Sequence, residues 1–244
     1  MKAVILAAGI ASRLRPLTDD TPKCHLKIDE KSILELTIDN IIANDVDDVI
    51  IVTGYLAEKI KNLVSKKYPG LNVTYIFNEV YDATNNIYSL WLTKENLLGD
   101  EMLLMDSDII FDKEIITKLL ASGHENCLAL KRHHVQDEEI KVKVGEDGRV
   151  LEIGKEVKLQ DATGESIGIE KFGVETLKEL FTIMERKIVI EKSVNQFYEA
   201  AFQELADNGA NIYCVDTTDY ICMEIDTAAD LEAARIILLN QHKK

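Results

Sequence analysis

The stretch VILAAGIASRLRPLTDDTPK, Val4 to Lys23, ends an apolar run in small residues and then gathers two arginines, two prolines and a lysine. A turn built from Leu6, Ala7, Ala8, Gly9 and Ala11 lets backbone N–H groups come close to a base or to phosphates. Arg13 adds a planar fork for phosphate oxygens, and Lys23 a compact, mobile point charge. Pro16 and Pro22 stiffen the segment that carries both. The spacing is neither the G-x-x-x-x-G-K-[ST] of a P-loop nor the G-x-G-x-x-G of a dinucleotide turn.

Carboxylates supply the second chemistry. In MDSDIIF, Asp106 and Asp108 stand where a buried strand ends, and Asp226 stands at a strand-to-helix junction in MEIDTAADL. Hard divalent cations prefer oxygen ligands, so these three acids form a candidate magnesium site. Taken singly, a D-x-D also caps turns, and an acid like Asp226 also starts helices.

The whole chain sets limits on partners. It has 244 residues, with 28 Lys and Arg against 43 Asp and Glu, a formal net charge of −15. Such a field repels phosphate, which argues against nucleic acid and anionic membranes as partners. A small anionic substrate then needs local cations or a metal. The four cysteines (Cys24, Cys127, Cys214, Cys222) form no C-x-x-C pair, a pattern of reduced, mostly buried thiols. Arg13 and Arg15 follow too soon after the first apolar run for a secretion signal, and no run is long enough to span a bilayer. A cytoplasmic, soluble protein is expected. A homodimer is compatible with the sequence.

The elements that must position these residues alternate. KAVILA, DDVIIVTG, LNVTYIFN and EMLLMDSD read as strands; ILELTIDNIIAN, AEKIKNLVSKKY, NNIYSLWLTKENL and KEIITKLLAS read as helices. Ser32 and Glu35 form a capping box, and Asp112 is expected to cap the helix that follows it. This β-α-β order predicts an α/β, Rossmann-like, mostly parallel mixed sheet flanked by helices. After about residue 125 the style changes. IKVKVGEDGRVLEIG reads as a hairpin turning at Glu146–Gly148, ESIGIEKFG as a strand, and helices follow around Leu177–Met184 and Asn195–Asp207. NIYCVD is a strand, and TAADLEAARIILLNQ a closing helix capped by Thr227. One domain spans 1–244, with a nucleotide-binding half over about 1–125 and an acceptor-binding half over about 126–244. In such sheets ligands bind beyond the carboxyl ends of the strands, which brings the Gly9 turn and the Asp106–Asp108 pair to one edge.

At this point the sequence resembles the nucleoside-triphosphate transferases that activate phosphorylated small molecules and sugar 1-phosphates. Their pattern, roughly L-A-A-G-x-G-[ST]-R-x-x-P-x-T…P-K, is followed from Leu6 to Lys23, with Ala11 in place of the second glycine. NNIYSLWL, DSDIIF, Gly154–Lys155, ESIGIEKF and EIDTAADL follow in the family's order. Within the family, NEVYDATNNIYSLWL and DEEIKVKV…GESIGIEKF look most like the phosphocholine cytidylyltransferase type, which includes relatives acting on aminoethylphosphonate and similar acceptors.

The resemblance implies a role for each matching position. The Leu6–Gly9 backbone would hold base and ribose. Arg13 and Lys23 would bind the triphosphate, and Lys155 the acceptor's phosphate. Asp108 and Asp226 would bind magnesium, with Asp106 an extra acid beside them. Gly168 would let the acceptor approach its strand. Asn85 and Asn86 would lie by the nucleotide or metal, unless they only cap the helix before IYSLWL. The implied reaction transfers CMP from CTP to a small phosphorylated acceptor, phosphocholine-like or aminoethylphosphonate-like, and releases pyrophosphate. A sugar-1-phosphate uridylyl- or thymidylyltransferase is the alternative enzyme, and a non-catalytic nucleotide-sensing subunit the alternative of another class. The early cations then have a reason: two unit charges about 4 Å apart interact by about 4 kcal/mol at an effective dielectric of 20, and two anions must meet on an acidic protein.

Other signals point less far. Glu199 is placed in the acceptor half, where it would meet a cationic acceptor. His133 and His134 have no evident ligand partner and read as a surface loop. Trp91 and Tyr88, at i and i+3 on an apolar helix, read as core rather than as an aromatic cage.

Overall fold

The computed structural model describes residues 1–241. Its elements, in chain order, begin with β1 (Lys2–Ala7), a short hairpin of β2 (Lys27–Ile28) and β3 (Lys31–Ser32), α1 (Ile33–Ile42), β4 (Asp48–Thr53), α2 (Ala57–Lys67) and β5 (Asn72–Phe77). Next come α3 (Asn86–Trp91), α4 (Lys94–Leu97), β6 (Met102–Asp106), β7 (Ile109–Phe111), α5 (Glu114–Ala121) and β8 (Cys127–Lys131). The second half holds β9 (Lys141–Val144), β10 (Val150–Gly154), β11 (Gly164–Phe172), α6 (Val174–Glu185), α7 (Glu199–Asp207), β12 (Tyr213–Asp216), β13 (Cys222–Glu224) and α8 (Ala228–Gln241).

Nine strands form one mixed sheet in the order β10-β9-β11-β6-β1-β4-β5, with β8 joined to β11 and β12 paired to β8. The β6-β1-β4-β5 block is parallel, and β11 runs antiparallel to β6. Alternation along the central strands explains why both faces are apolar. Val4, Leu6, Ile50, Val52, Met102 and Leu104 enter one core, with Ile87 and Leu90 of α3 and Phe202 of α7. Ala3, Ile5, Val49, Ile51, Leu103 and Met105 enter the other, under α1, α2 and α5. A strand buried on both faces reads as a continuous apolar run, which is what KAVILA and DVIIV are.

The capping box at Ser32 and Glu35 forms, and Thr227 Oγ1 accepts the Asp230 N–H at the start of α8. The GEDG turn closes the β9–β10 hairpin through Gly148 N–H to Gly145 O. Four expectations change. NNIYSLWLTKENL splits into α3 and α4, and the buried Thr93 donates its hydroxyl to Leu90 O at the break. Asp112 does not cap α5, because β7 carries the chain through Phe111 as an antiparallel partner of β13; its carboxylate accepts the Ile221 N–H instead. The helix expected from Asn195 begins at Glu199, since Tyr198 N–H donates to Asn86 Oδ1 and Asn85 N–H donates to Val194 O, tying this segment to α3. The short strands β2, β3, β7, β8 and β13 are additions.

Candidate active site

A cleft of about 830 Å³ opens along the carboxyl ends of β1 and β6 and runs toward the start of β11. Leu6, Ala7, Ala8, Gly9, Arg13, Lys23, Asn85, Asn86, Asp106, Asp108, Lys155, Gly168, Glu199 and Asp226, every residue expected at the site, line it.

The nucleotide end is built by register. Leu6 pairs with Asp106 across β1 and β6, so the small-residue turn leaves the sheet beside the acids. Ala8 O accepts the Tyr55 N–H, and a Cβ on Gly54 would lie 2.6 Å from that same carbonyl. Gly54 therefore fits by close approach, a requirement that DDVIIVTG does not announce. A Cβ on Gly9 would meet nothing within 4 Å, so its backbone faces open space. Ala11 has φ of +52°, with its carbonyl accepting the hydroxyl of the buried Thr18. The family pattern's second glycine falls at this left-handed position, and the structure holds alanine there.

Lys23 follows Pro22 in a single helical turn, and its ammonium lies 2.7 Å from Asp108 Oδ2 and 2.7 Å from Asp226 Oδ1. Arg13 Nη2 lies 2.7 Å from Asp226 Oδ2. Ile225 N–H donates to Asp108 O, which fastens β13 and its acids to the end of β6. Burial alone would lower the Lys23 pKa, but the two carboxylates outweigh it and raise it. Burial also opposes ionisation of Asp226, yet Lys23 and Arg13 hold its carboxyl below the usual range.

The carboxylate set differs in one member from the expected one. Asp108 and Asp226 are joined by Glu224, with ligand oxygens within 4.8 Å of one another. Burial, then the charges of Asp108 and Asp226, push Glu224 up to about 7. Three crowded carboxylates of oxygen-donor type fit a divalent cation. Asp106 instead shares the strand face of Leu104, and its Oδ2 accepts the hydroxyl of the fully buried Tyr198 at 3.0 Å. Burial, with Asp108 and Glu199 close by, raises its pKa well above the ordinary value. A local spacing accompanies Glu224: in MEID it stands two residues before Asp226, as Asp106 stands before Asp108.

The two asparagines serve as fasteners at the cleft wall. Asn85 Oδ1 accepts the Asn86 N–H and caps α3, while Asn86 Oδ1 holds Tyr198. Gly168 has φ of +70°, and a Cβ there would lie 2.7 Å from Asp106 Oδ2. The residue that fills its space is thus Asp106.

At the other end, Lys155 Nζ lies 3.1 Å from Glu138 Oε2 and 4.9 Å from the centre of the Phe197 ring. His133 is not an isolated loop residue: its Nε2 lies 3.0 Å from Glu139 and 3.5 Å from Glu165. Folding brings these together from the β8–β9 connection and β11, a meeting that no local spacing encodes. His134 is exposed. Tyr88 and Trp91 pack on each other against the core at 5.4 Å and do not line the cleft.

Glu199 is buried at 5% exposure, and its Oε2 has no hydrogen-bond partner. Burial is the main cause that raises its carboxyl to about 7, with nearby Lys155 lowering and Glu224 raising it; Asp106, Glu170 and Tyr198 adjoin it as well. A carboxyl whose folded pKa exceeds its unfolded value, about 4.3, stabilises the fold at low pH. That contribution is lost as pH rises through about 7. Glu199→Gln should therefore melt higher than the parent at pH 8, with the gap closing toward pH 4.5, as followed by thermal unfolding across pH.

Residues 2–153 match the model of the family described as nucleotidyl transferase. The chain belongs to the nucleotidyl transferase family. This nucleotidyl transferase is an enzyme, and the matched span contains the turn, both early cations and Asp108. It is 28% identical, over 95% of its length and 98% of the relative's, to a CTP:phosphoglutamine cytidylyltransferase of Campylobacter jejuni. A choline-phosphate cytidylyltransferase of Streptococcus pneumoniae is 40% identical over 44% of this chain and 45% of its own. Among solved structures, a CTP:phosphocholine cytidylyltransferase from Streptococcus pneumoniae superposes with a TM-score of 0.79 and 25% identity, covering 97% of this chain and 98% of that one.

No helix among the described residues is long and apolar enough to cross a membrane.

Proposed function

We propose that this enzyme transfers CMP from CTP to a small phosphorylated acceptor and releases pyrophosphate. The observation that carries the proposal is the meeting, in one cleft, of the small-residue turn, Lys23 and Arg13 beside the acids, and Lys155 beyond them. The choice of CTP rests on the relatives whose names specify it.

The chemistry asked of the protein is positioning and charge stabilisation. The open backbone at Gly9 receives the nucleotide. Arg13 and Lys23 neutralise the triphosphate, and Lys155 holds the acceptor's phosphate against it. Asp108, Glu224 and Asp226 would hold magnesium, which when bound supplies positive charge at the triphosphate. No general base is required, because the attacking phosphate oxygen is already ionised.

Pyrophosphate release should be measured with CTP, UTP, dTTP and ATP against phosphorylated amino alcohols, a phosphorylated polyol and sugar 1-phosphates. CTP is expected to be preferred. Equal or faster turnover of UTP or dTTP with a sugar 1-phosphate would overturn the proposal.

A further inference from the structure

Besides the acids around Lys23, the cleft holds a second group of metal-ligating side chains. His133 Nε2 lies 3.0 Å from Glu139 Oε2 and 3.5 Å from Glu165 Oε2. One ligand atom from each of the three lies within 4.8 Å of the others, and all three residues line the cleft. Donor atoms about 2.1 Å from one ion stand about 3.0 Å apart along an octahedral edge and about 3.4 Å along a tetrahedral one. The imidazole is therefore already at coordination spacing from both carboxylates.

No other cation answers these two carboxylates. Lys23 and Arg13 reach Asp108 and Asp226 at 2.7 Å. Glu139 and Glu165 are half-buried, yet among the described residues neither has an ion pair with a lysine or an arginine. Lys131 faces Glu165 across the β8–β11 ladder, but its ammonium is given to Cys222 O. Burial, then the charge of Glu139, pushes Glu165 up to about 7, which His133 and Lys131 oppose only in part. The ligands are also held from behind. Gln136 N–H donates to Glu139 Oε2, and the buried Lys141 ammonium donates to the carbonyls of Asp137 and Glu139. Outer contacts of this kind orient metal ligands.

We propose that His133, Glu139 and Glu165 form a second metal site, which takes a divalent first-row transition metal of the zinc type and ties the β8–β9 connection to β11. Donor type separates it from the first set. Asp108, Glu224 and Asp226 offer oxygen alone, which suits magnesium, whereas an imidazole nitrogen favours zinc and its neighbours over magnesium. The proposal does not depend on which nucleotide or acceptor the enzyme uses.

The test is metal binding by the whole protein, stripped with a chelator and returned to excess magnesium. Zinc is followed by calorimetry and cobalt by its visible absorption. One equivalent of each is expected, with a cobalt spectrum free of the intense near-ultraviolet band of thiolate ligation. His133→Gln removes an exposed ligand. It should weaken zinc by about 100-fold or more, since altering even a partner of a ligand costs about 10- to 100-fold. Glu165→Gln should act alike, and Asp226→Ala should leave zinc affinity unchanged. Zinc should also slow amide exchange over residues 132–140 in the parent and not in His133→Gln. If Glu165→Gln fails to fold, the exposed His133→Gln decides alone. Absence of zinc binding in excess magnesium would overturn the proposal and leave the imidazole as a simple ion-pair partner of the two acids. An affinity unmoved by His133→Gln, or one lost in Asp226→Ala, would overturn it too.

Discussion

Asp226→Ala is expected to lower turnover by about 10³-fold or more while leaving the fold intact. The Asp226 carboxylate joins three functions in the cleft: its two oxygens hold Arg13 and Lys23, and it completes the oxygen set with Asp108 and Glu224. Removing it takes away one carboxylate of the proposed magnesium set, frees Arg13 and leaves Lys23 with Asp108 alone. Losing one preorganised electrostatic group typically costs about 10²–10³ in kcat, and here more than one is disturbed. The fold should survive, because the loss also relieves repulsion among crowded carboxylates, and Asp108 still holds Lys23. Asp108→Ala should behave alike. Asp106→Ala should be milder, since that carboxylate engages Tyr198 rather than the acid cluster. Pyrophosphate release over a magnesium titration, with thermal unfolding as the check on folding, measures the effect. An active Asp226→Ala enzyme with unchanged magnesium dependence would remove the metal assignment.

Lys23→Ala carries the second large effect. Its ammonium, only 13% exposed, is fixed by two carboxylates at 2.7 Å. A charge held this way does not have to reorganise as negative charge builds on the α-phosphoryl oxygens and the leaving pyrophosphate. Its loss should lower kcat by about 10²–10³, or about 3–4 kcal/mol, with far less change in nucleotide affinity. Lys23→Arg should rescue poorly, because a planar guanidinium does not fit where a compact ammonium bridges two acids. Steady-state kinetics with calorimetric nucleotide binding separates the two effects. If Lys23→Ala lost only affinity and kept its kcat, Lys23 would be a binding cation and nothing more.

Much of the frame was legible because its physics is local. A strand buried on both faces must be a continuous apolar run, so KAVILA and DDVIIVTG declared the central sheet. The capping box at Ser32 needs only its own four residues. The turn around Gly9, the cations at 13 and 23, and the acids at 108 and 226 carry a spacing that resembles one family, which a matching family model then showed.

What the sequence could not supply depends on residues far apart in the chain. Glu224 joins Asp108 and Asp226 only because β13 pairs with β7 and Ile225 bonds to Asp108. Asp106 stands apart from that cluster because the face of β6 it shares with Leu104 is closed by Tyr198, more than ninety residues away. His133 acquires Glu139 and Glu165 by the same kind of long-range meeting. The sequence by itself determined which chemistries are present, since side-chain type and local spacing set charge, strand and helix. Tertiary structure alone decided which carboxylates gather around Lys23, which close on a tyrosine and which are left buried without a partner, because burial and distance belong to the packed chain and not to any segment of it.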